Sequence, residues 1–150
     1  MEFQKGQLNF NTDIKTGKEG EAFIKAFQEN LGYVFVEECD NNAYDLKMSY
    51  KGKEYTYEIK TDTYSNTGNM AIEFECRGKS SGIAVTQADF FVYFFPHLGE
   101  IWNIRCSKLR EIIARTKPYV AVGGDKNSNT KMYLIRKKDV EEYFKVHRMK

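Results

Sequence analysis

Apolar residues recur every three or four positions early in the chain, a spacing that is typical of an amphipathic helix. They are Gly20, Phe23, Ile24, Phe27 and Leu31. We expect this helix to begin near Asp13 or Thr16 and to end at Gly32, because glycine readily adopts the left-handed conformation that closes many helices. Thr16 and Glu19 also have the spacing of a capping box, which would stabilise the start of the helix.

Beyond this helix the pattern shifts to the alternation of strands, with two further helical segments later in the chain. Strands are expected at 33–37, 44–50, 53–62, 70–76, 90–95, 100–104 and 132–135. A second helix is expected to be capped by Ser107, and a last helix follows the final strand. Their buried faces would be Leu109, Ile112 and Ile113 in the one and Val140, Tyr143 and Phe144 in the other. This order predicts an α/β fold with a mixed central sheet flanked by helices, in which 90–95 is the central strand.

Composition excludes several classes of protein. No apolar run approaches the roughly 18–20 residues that a membrane helix needs, and the first residues lack the apolar segment of a secretion signal. The cysteines Cys39, Cys76 and Cys106 contain no Cys-x-x-Cys pair and are expected to be free thiols in a reducing compartment. We therefore expect a cytoplasmic protein that has no structural zinc site and does not associate with membranes.

Three enzyme classes are disfavoured by their missing motif residues. The histidines, His97 and His147, lie far apart in the sequence, which argues against zinc hydrolases and Ser-His-Asp hydrolases. The stretch Gly78-Lys79-Ser80 resembles the end of a phosphate-binding P-loop, but position 73, where that motif has glycine, is Glu73. An ATPase is therefore not expected.

The net charge of +2 conceals a strong asymmetry along the 150 residues. Residues 1–102 carry 10 basic and 16 acidic side chains, whereas residues 103–150 carry 13 basic and 5 acidic side chains. The first part therefore nets −6 and the second part +8. A basic half of this density favours contact with a polyanion such as nucleic acid.

The strands at 44–50 and 53–62 form a predicted hairpin that brings charged residues together. A two-residue turn at Lys51-Gly52 places Asp45 directly opposite Glu58, and Lys60 shares the face of Glu58. The side chains expected to point toward the core instead are Tyr44, Leu46, Tyr57 and Ile59. Two facing carboxylates repel unless a positive charge lies between them, and either Lys60 or a divalent cation can supply it. Oxygen ligands without His or Cys favour Mg²⁺ or Mn²⁺.

These residues resemble a known nuclease motif. Asp45, followed after a gap by Glu58-Ile59-Lys60, is similar to the Asp…(Asp/Glu)-x-Lys pattern of the PD-(D/E)XK nuclease superfamily, and Gly20-Glu21 matches the Gly-Glu pair of its first helix. The stretch 81–90 resembles small phage and bacterial members, including resolvase-like ones. The resemblance covers about residues 13–95 and departs from the pattern at Tyr44, which stands where proline is common.

The resemblance implies a restriction-endonuclease-like core and metal-dependent hydrolysis of phosphodiester bonds. Asp45, Glu58 and the carbonyl of Ile59 would hold one or two Mg²⁺ ions, with Glu21 helping directly or through water. Lys60 would position or activate the attacking water and stabilise charge on the phosphate. The products would be a 5′-phosphate and a 3′-hydroxyl. Glu19 and Glu73 remain alternatives to Glu21 as the accessory acid.

Two groups of residues are candidates for substrate binding. Lys79, Ser80 and Gln87 lie in the segment after the strand at 70–76, and Thr86 is a similar candidate. The basic half supplies candidate contacts to the DNA backbone. These are Arg105, Lys108, Arg110, Arg115, Lys117, Lys126, Lys131, Arg136, Lys137 and Lys138.

Taken together, the sequence predicts a single nuclease domain with a loose arm at 1–12, a catalytic core at 13–95 and a basic part at 96–150. The expected activity is that of a Mg²⁺- or Mn²⁺-dependent DNA endonuclease, with structured or junction DNA as one candidate substrate. The small size suits a homodimer, and a bacterial or phage-infected cell is the expected setting. The alternatives are an exonuclease of the same superfamily, a non-catalytic nucleic-acid-binding module and a protein-interaction domain.

Overall fold

Three helices and ten strands lie in the part of the chain that the structure, a computed structural model, describes: residues 16–39, 43–63, 68–123 and 129–149. The helices are α1 Gly17–Asn30, α2 Cys106–Thr116 and α3 Lys137–Val140. The strands are β1 Val34–Glu38, β2 Leu46–Tyr50, β3 Lys53–Thr61, β4 Asn69–Cys76, β5 Lys79–Ser80, β6 Phe90–Phe95, β7 Glu100–Arg105, β8 Tyr119–Gly123, β9 Thr130–Arg136 and β10 Lys145–Arg148. The expected arm at residues 1–12 lies outside the described ranges.

The start of α1 follows the predicted capping box. The Glu19 amide donates to the Thr16 hydroxyl, and the Thr16 amide donates to the Glu19 carboxylate, each over 3.1 Å. The helix ends at Asn30, and Gly32 follows with a φ of 100°, as the predicted glycine stop requires. Glu19 therefore has a structural role at the helix terminus.

A mixed six-stranded sheet forms the centre of the fold, in the order β1-β2-β3-β6-β7-β10. Its one parallel pair is β3–β6, and its other neighbours are antiparallel. The prediction of an α/β fold with a mixed central sheet is confirmed, and β6 lies inside that sheet as predicted.

A second sheet, in the order β5-β4-β9-β8, is antiparallel and was not predicted. Strand β8 lies at the edge of this sheet, and its apolar residues Tyr119, Val120 and Val122 are exposed. The sequence does not predict β8 because these residues do not follow the apolar–polar alternation of a half-buried strand.

The third helix is shorter than the periodicity suggests. It ends at Val140 and is followed by a 3-10 turn. The next residues, Lys145–Arg148, do not continue the helix because they pair with β7 as strand β10.

The prediction of a Ser107 cap is wrong. Helix α2 begins at Cys106 after Arg105, which offers no side-chain cap.

Two apolar clusters cover the two faces of the central sheet. The first contains residues of α1, β2, β3 and β6, including Phe23, Ile24, Tyr57 and Ile59. The second joins the other face of β6 to the four-stranded sheet and α2. Tyr93 on β6 connects the two sheets, because its hydroxyl donates to the Ala71 carbonyl of β4. None of the described helices is long and apolar enough to cross a membrane.

Candidate active site

The β2–β3 hairpin has the predicted register. Tyr50 pairs with Lys53 and Leu46 with Tyr57, and Lys51 and Gly52 have φ values of 51° and 82°. Positive φ at both turn residues fits the two-residue turns that match the twist of a hairpin. Asp45 precedes the first pair, and its amide donates to the Tyr57 carbonyl over 2.9 Å. The register therefore brings Asp45 level with Glu58.

The Asp45 carboxylate is held against β3. Its Oδ2 accepts a hydrogen bond of 2.8 Å from the amide of Ile59, the residue between Glu58 and Lys60. Because this oxygen accepts from the backbone between Glu58 and Lys60, the Asp45 carboxylate lies beside the Glu58-Ile59-Lys60 segment. The contact involves the amide of Ile59, and the role of its carbonyl as a ligand stays a prediction.

Glu58 lies at the meeting point of several acidic residues. Burial of this half-buried side chain, together with the charge of Asp45, raises the pKa of Glu58 to about 7. Glu21 and Glu73 act in the same direction, whereas a hydrogen bond from Thr86 lowers the pKa. Negative charge from α1, β4 and the start of β2 therefore acts on one carboxylate of β3. Both Glu21 and Glu73, two of the alternatives for the accessory acid, lie close enough to contribute.

A glycine brings α1 onto β3. A Cβ atom on Gly20 would lie 1.7 Å from the Thr61 hydroxyl oxygen, so the helix backbone approaches β3 more closely than any side chain permits. Because Glu21 follows Gly20, this approach sets its distance to the site.

A second glycine brings a short turn onto β4. Gly82 begins the 3-10 turn Gly82–Ala84 with a φ of 51°, and a Cβ there would lie 2.2 Å from the Glu73 carbonyl oxygen. The turn thereby packs next to Glu73 and leads directly to Thr86. Each of these glycines serves a close approach of backbone to its neighbour.

Tyr44 does not point where the alternation predicts. It packs against the cluster on the four-stranded-sheet side, and its hydroxyl donates to Glu37, whereas Leu46 lies in the cluster on the α1 side. Regular strand geometry begins only at Leu46, so the two-residue period does not extend back to Tyr44. The predictions for Leu46, Tyr57 and Ile59, which are all buried, are confirmed.

The other candidate residues lie on two neighbouring segments. Lys60 is exposed on β3, two residues beyond Glu58. Lys79 and Ser80 form the exposed strand β5. The side chain of Gln87 is exposed, and its backbone amide donates to the Ala43 carbonyl over 2.7 Å. The segment that carries Gln87 therefore lies beside the start of β2.

The same segment carries Thr86, which the sequence marks only as a candidate phosphate contact. Its hydroxyl donates to Glu58 Oε1 over 2.9 Å, and Thr86 is only 4% exposed. No sequence pattern connects the two residues, because they are 28 positions apart and meet only through the pairing of β3 with β6.

The basic residues expected to contact DNA differ in accessibility. Several form ion pairs with exposed or half-exposed acids: Lys108 and Arg115 with Glu111, Lys131 with Glu75, and Arg136 with Asp139. Such surface pairs contribute about 0–1 kcal/mol, so phosphate groups can compete for these cations. Arg105 lies over the Phe90 ring, Lys117 and Lys138 are exposed, and Lys126 lies outside the described residues.

Lys137 and Arg110 are engaged within the fold. The Lys137 ammonium lies 3.5 Å from the centre of the Phe95 ring and 3.8 Å from Glu100, and its side chain is 11% exposed. Arg110 bonds the carbonyls of Ile83 and Thr86. Both are therefore bound to other parts of the chain rather than directed freely into solvent.

The donor set fits a hard divalent cation. Within the described residues, no group of three or more His, Cys, Asp or Glu side chains is arranged to hold a metal ion. Mg²⁺ requires less than that, because it is usually bound by one or two carboxylates together with water and substrate phosphate. Asp45 and Glu58 supply two such carboxylates, and burial together with the charge of Asp45 raises the pKa of Glu58.

Comparison with models of known protein families and with curated proteins finds no match to this chain.

Proposed function

We propose that the chain is a metal-dependent DNA endonuclease of the PD-(D/E)XK type. The observation that carries the proposal is the placement of Asp45, whose carboxylate accepts from the Ile59 amide, level with the half-buried Glu58, which lies two residues from Lys60 on the same strand. Carboxylates are grouped against their mutual repulsion here, which favours a site that binds a cation over a purely structural hairpin.

Each site residue has a role in this proposal. Asp45 and Glu58 would hold Mg²⁺ or Mn²⁺, together with the Ile59 carbonyl and with Glu21 as the accessory acid; Glu73 is the alternative accessory acid. When bound, the cation supplies Lewis-acid polarisation of the scissile phosphate and a water of lowered pKa. The Lys60 ammonium orients the attacking water and stabilises the charge that develops on the phosphate. The products are a 5′-phosphate and a 3′-hydroxyl.

The substrate in this proposal is DNA, with structured or junction DNA as the first candidate. Lys79, Ser80 and Gln87 would contact phosphates near the site, and the exposed cations of α2, β9 and α3 would contact the backbone farther away. A homodimer would place two such sites on one substrate, and we expect the protein to act in the cytoplasm of a bacterial or phage-infected cell.

Cleavage assays test the proposal directly. Supercoiled plasmid, linear duplex and a four-way junction are incubated with Mg²⁺, Mn²⁺ or EDTA, using the wild type, Asp45→Asn and Lys60→Ala. We expect metal-dependent cutting by the wild type and a loss of at least about 100-fold in both variants. Exposed residues of the same strand provide matched controls, because Lys53→Ala and Glu54→Gln change the same charges outside the site.

Four results would contradict the proposal or narrow it. Cutting in EDTA, or full activity of Asp45→Asn and Lys60→Ala, would overturn it. Binding of DNA without any cutting would indicate the non-catalytic module instead. Degradation that proceeds only from the ends of the linear duplex would indicate the exonuclease.

A further inference from the structure

Arg110 is placed to hold the segment that faces Glu58. Its Nη2 donates to the Thr86 carbonyl over 2.6 Å and to the Ile83 carbonyl over 3.1 Å, and its Nε donates to the same Ile83 carbonyl over 3.3 Å. The planar guanidinium therefore bridges two carbonyls of one short segment, a geometry that lysine cannot reproduce. Since Arg110 belongs to α2, it ties this segment to a separate element of the fold.

Thr86 passes this restraint to the carboxylate. Its hydroxyl has one proton and two acceptors within reach, Glu58 Oε1 at 2.9 Å and the Ala43 carbonyl at 3.2 Å. A carboxylate is the stronger acceptor and here the closer one. The hydroxyl oxygen accepts in turn from the Ala88 amide over 3.2 Å, so its orientation is restrained from both sides. One oxygen of Glu58 is thereby held in place.

We propose that Arg110 and Thr86 are positioning residues for the Glu58 carboxylate, Arg110 acting through the Thr86 backbone and Thr86 through its hydroxyl. The inference rests on the proposed function, because it assigns these residues to the same site. It also removes Arg110 from the cations expected to contact DNA. An outer partner of a metal ligand typically changes metal affinity about 10- to 100-fold when it is lost.

The test measures Mn²⁺ affinity by titration calorimetry, with the metal alone as the probe and with no DNA present. Thr86→Val keeps the size of the side chain and removes the hydroxyl, so we expect binding about 10-fold weaker or more. Thr86→Ser restores the hydroxyl and should restore most of the affinity. Arg110→Gln should weaken binding in the same direction as Thr86→Val. Arg115→Gln, which removes the same charge from the same helix, should keep wild-type Mn²⁺ affinity.

Kinetics distinguish positioning from substrate binding. For Thr86→Val and Arg110→Gln we expect kcat to fall while KM for DNA changes little. Wild-type Mn²⁺ affinity in both variants would overturn the inference. It would equally be overturned if Arg110→Gln kept wild-type Mn²⁺ affinity, raised KM for DNA and weakened the salt dependence of DNA binding. That pattern is expected of Arg115→Gln, which removes a candidate contact to the DNA backbone. Circular dichroism and urea titration show whether each variant is folded. If Arg110→Gln does not fold, the comparison of Thr86→Val with Thr86→Ser still tests the positioning role of the Thr86 hydroxyl.

Failure of the nuclease proposal gives a different result from failure of this inference. The wild type could bind Mn²⁺, with weaker binding by Thr86→Val, and yet cut no DNA. That result would support the positioning role and overturn the nuclease proposal. If the wild type binds no Mn²⁺ and cuts no DNA in its presence, both are overturned.

Discussion

The backbone of Gly20 lies directly against the side chain of Thr61, so that a Cβ on Gly20 would come within 1.7 Å of the Thr61 hydroxyl oxygen. The hydroxyl oxygen of Thr61 is buried and has no hydrogen-bond partner among the described residues, which further indicates that the two elements are packed tightly here. This contact sets the distance between α1 and β3, and with it the distance between Glu21 and Glu58. The site therefore depends on a residue that has no side chain.

Gly20→Ala should destabilise the protein by about 1–3 kcal/mol, because the added methyl group must displace β3 or the helix. Urea denaturation measures the change. Gly17→Ala is the matched control: no atom of the part of the chain that the structure describes lies within 4 Å of its Cβ position, and we expect a neutral or slightly stabilising effect. Equal stability of Gly20→Ala and Gly17→Ala would contradict the close approach of α1 to β3.

Glu58 should make the stability of the metal-free protein depend on pH. Its pKa rises from the ordinary 4.5 to about 7 on folding, so the folded state favours the protonated form. Stability is therefore fully present below pH 4.5 and is lost as the pH rises through 7. Glu58→Gln should escape this loss and, in EDTA, exceed the wild type by about 1–2 kcal/mol at pH 8, a figure reduced for solvent screening.

Urea titrations in EDTA at pH 5 and pH 8 measure this difference. Glu54→Gln, at an exposed position on the same strand, should follow the wild type at both values. Adding Mg²⁺ at pH 8 should stabilise the wild type more than Glu58→Gln. A Glu58→Gln variant that is no more stable than the wild type at pH 8 would contradict the raised pKa of Glu58.

Two adjacent lysines should behave differently when replaced. Lys137 lies over the Phe95 ring and next to Glu100, whereas Lys138 is exposed. Lys137→Ala should cost about 2–3 kcal/mol of stability, because it removes a desolvated cation–π contact and leaves Glu100 with fewer partners. Lys138→Ala should stay within about 0.5 kcal/mol. Thermal unfolding of the two variants checks this, and equal effects would contradict the contacts of Lys137 with Phe95 and Glu100.

His147 should weaken the fold in mild acid. Partial burial against Phe27 and the charge of Lys145 lower its pKa from the usual 6.5, so the folded state favours the neutral ring. Its contribution to stability is present above pH 6.5 and is lost as the pH falls below that value toward the lowered pKa. His147→Gln should lose less stability than the wild type between pH 7 and pH 5. His97→Gln, at an exposed position, should follow the wild type, and urea midpoints across this range decide the matter.

The local parts of the site could be predicted because they depend on neighbours in sequence. A two-residue turn and a period of two are enough to place Asp45 level with Glu58, and the capping box at Thr16 depends on a spacing of three. The prediction for Tyr44 was wrong because it extended that period beyond the end of the regular strand. Strand β8 was missed because its exposed valines carry no alternation that a sequence could reveal.

The sequence by itself determined the helix start, the hairpin and the residues that could bind a cation, since each depends on contacts only a few positions apart. Only the tertiary structure decided which distant groups meet those residues. The parallel pairing of β3 with β6 and the docking of α2 bring Thr86 to Glu58 and Arg110 to Thr86. Such long-range contacts follow from the packing of whole elements, and no periodicity along the chain encodes them.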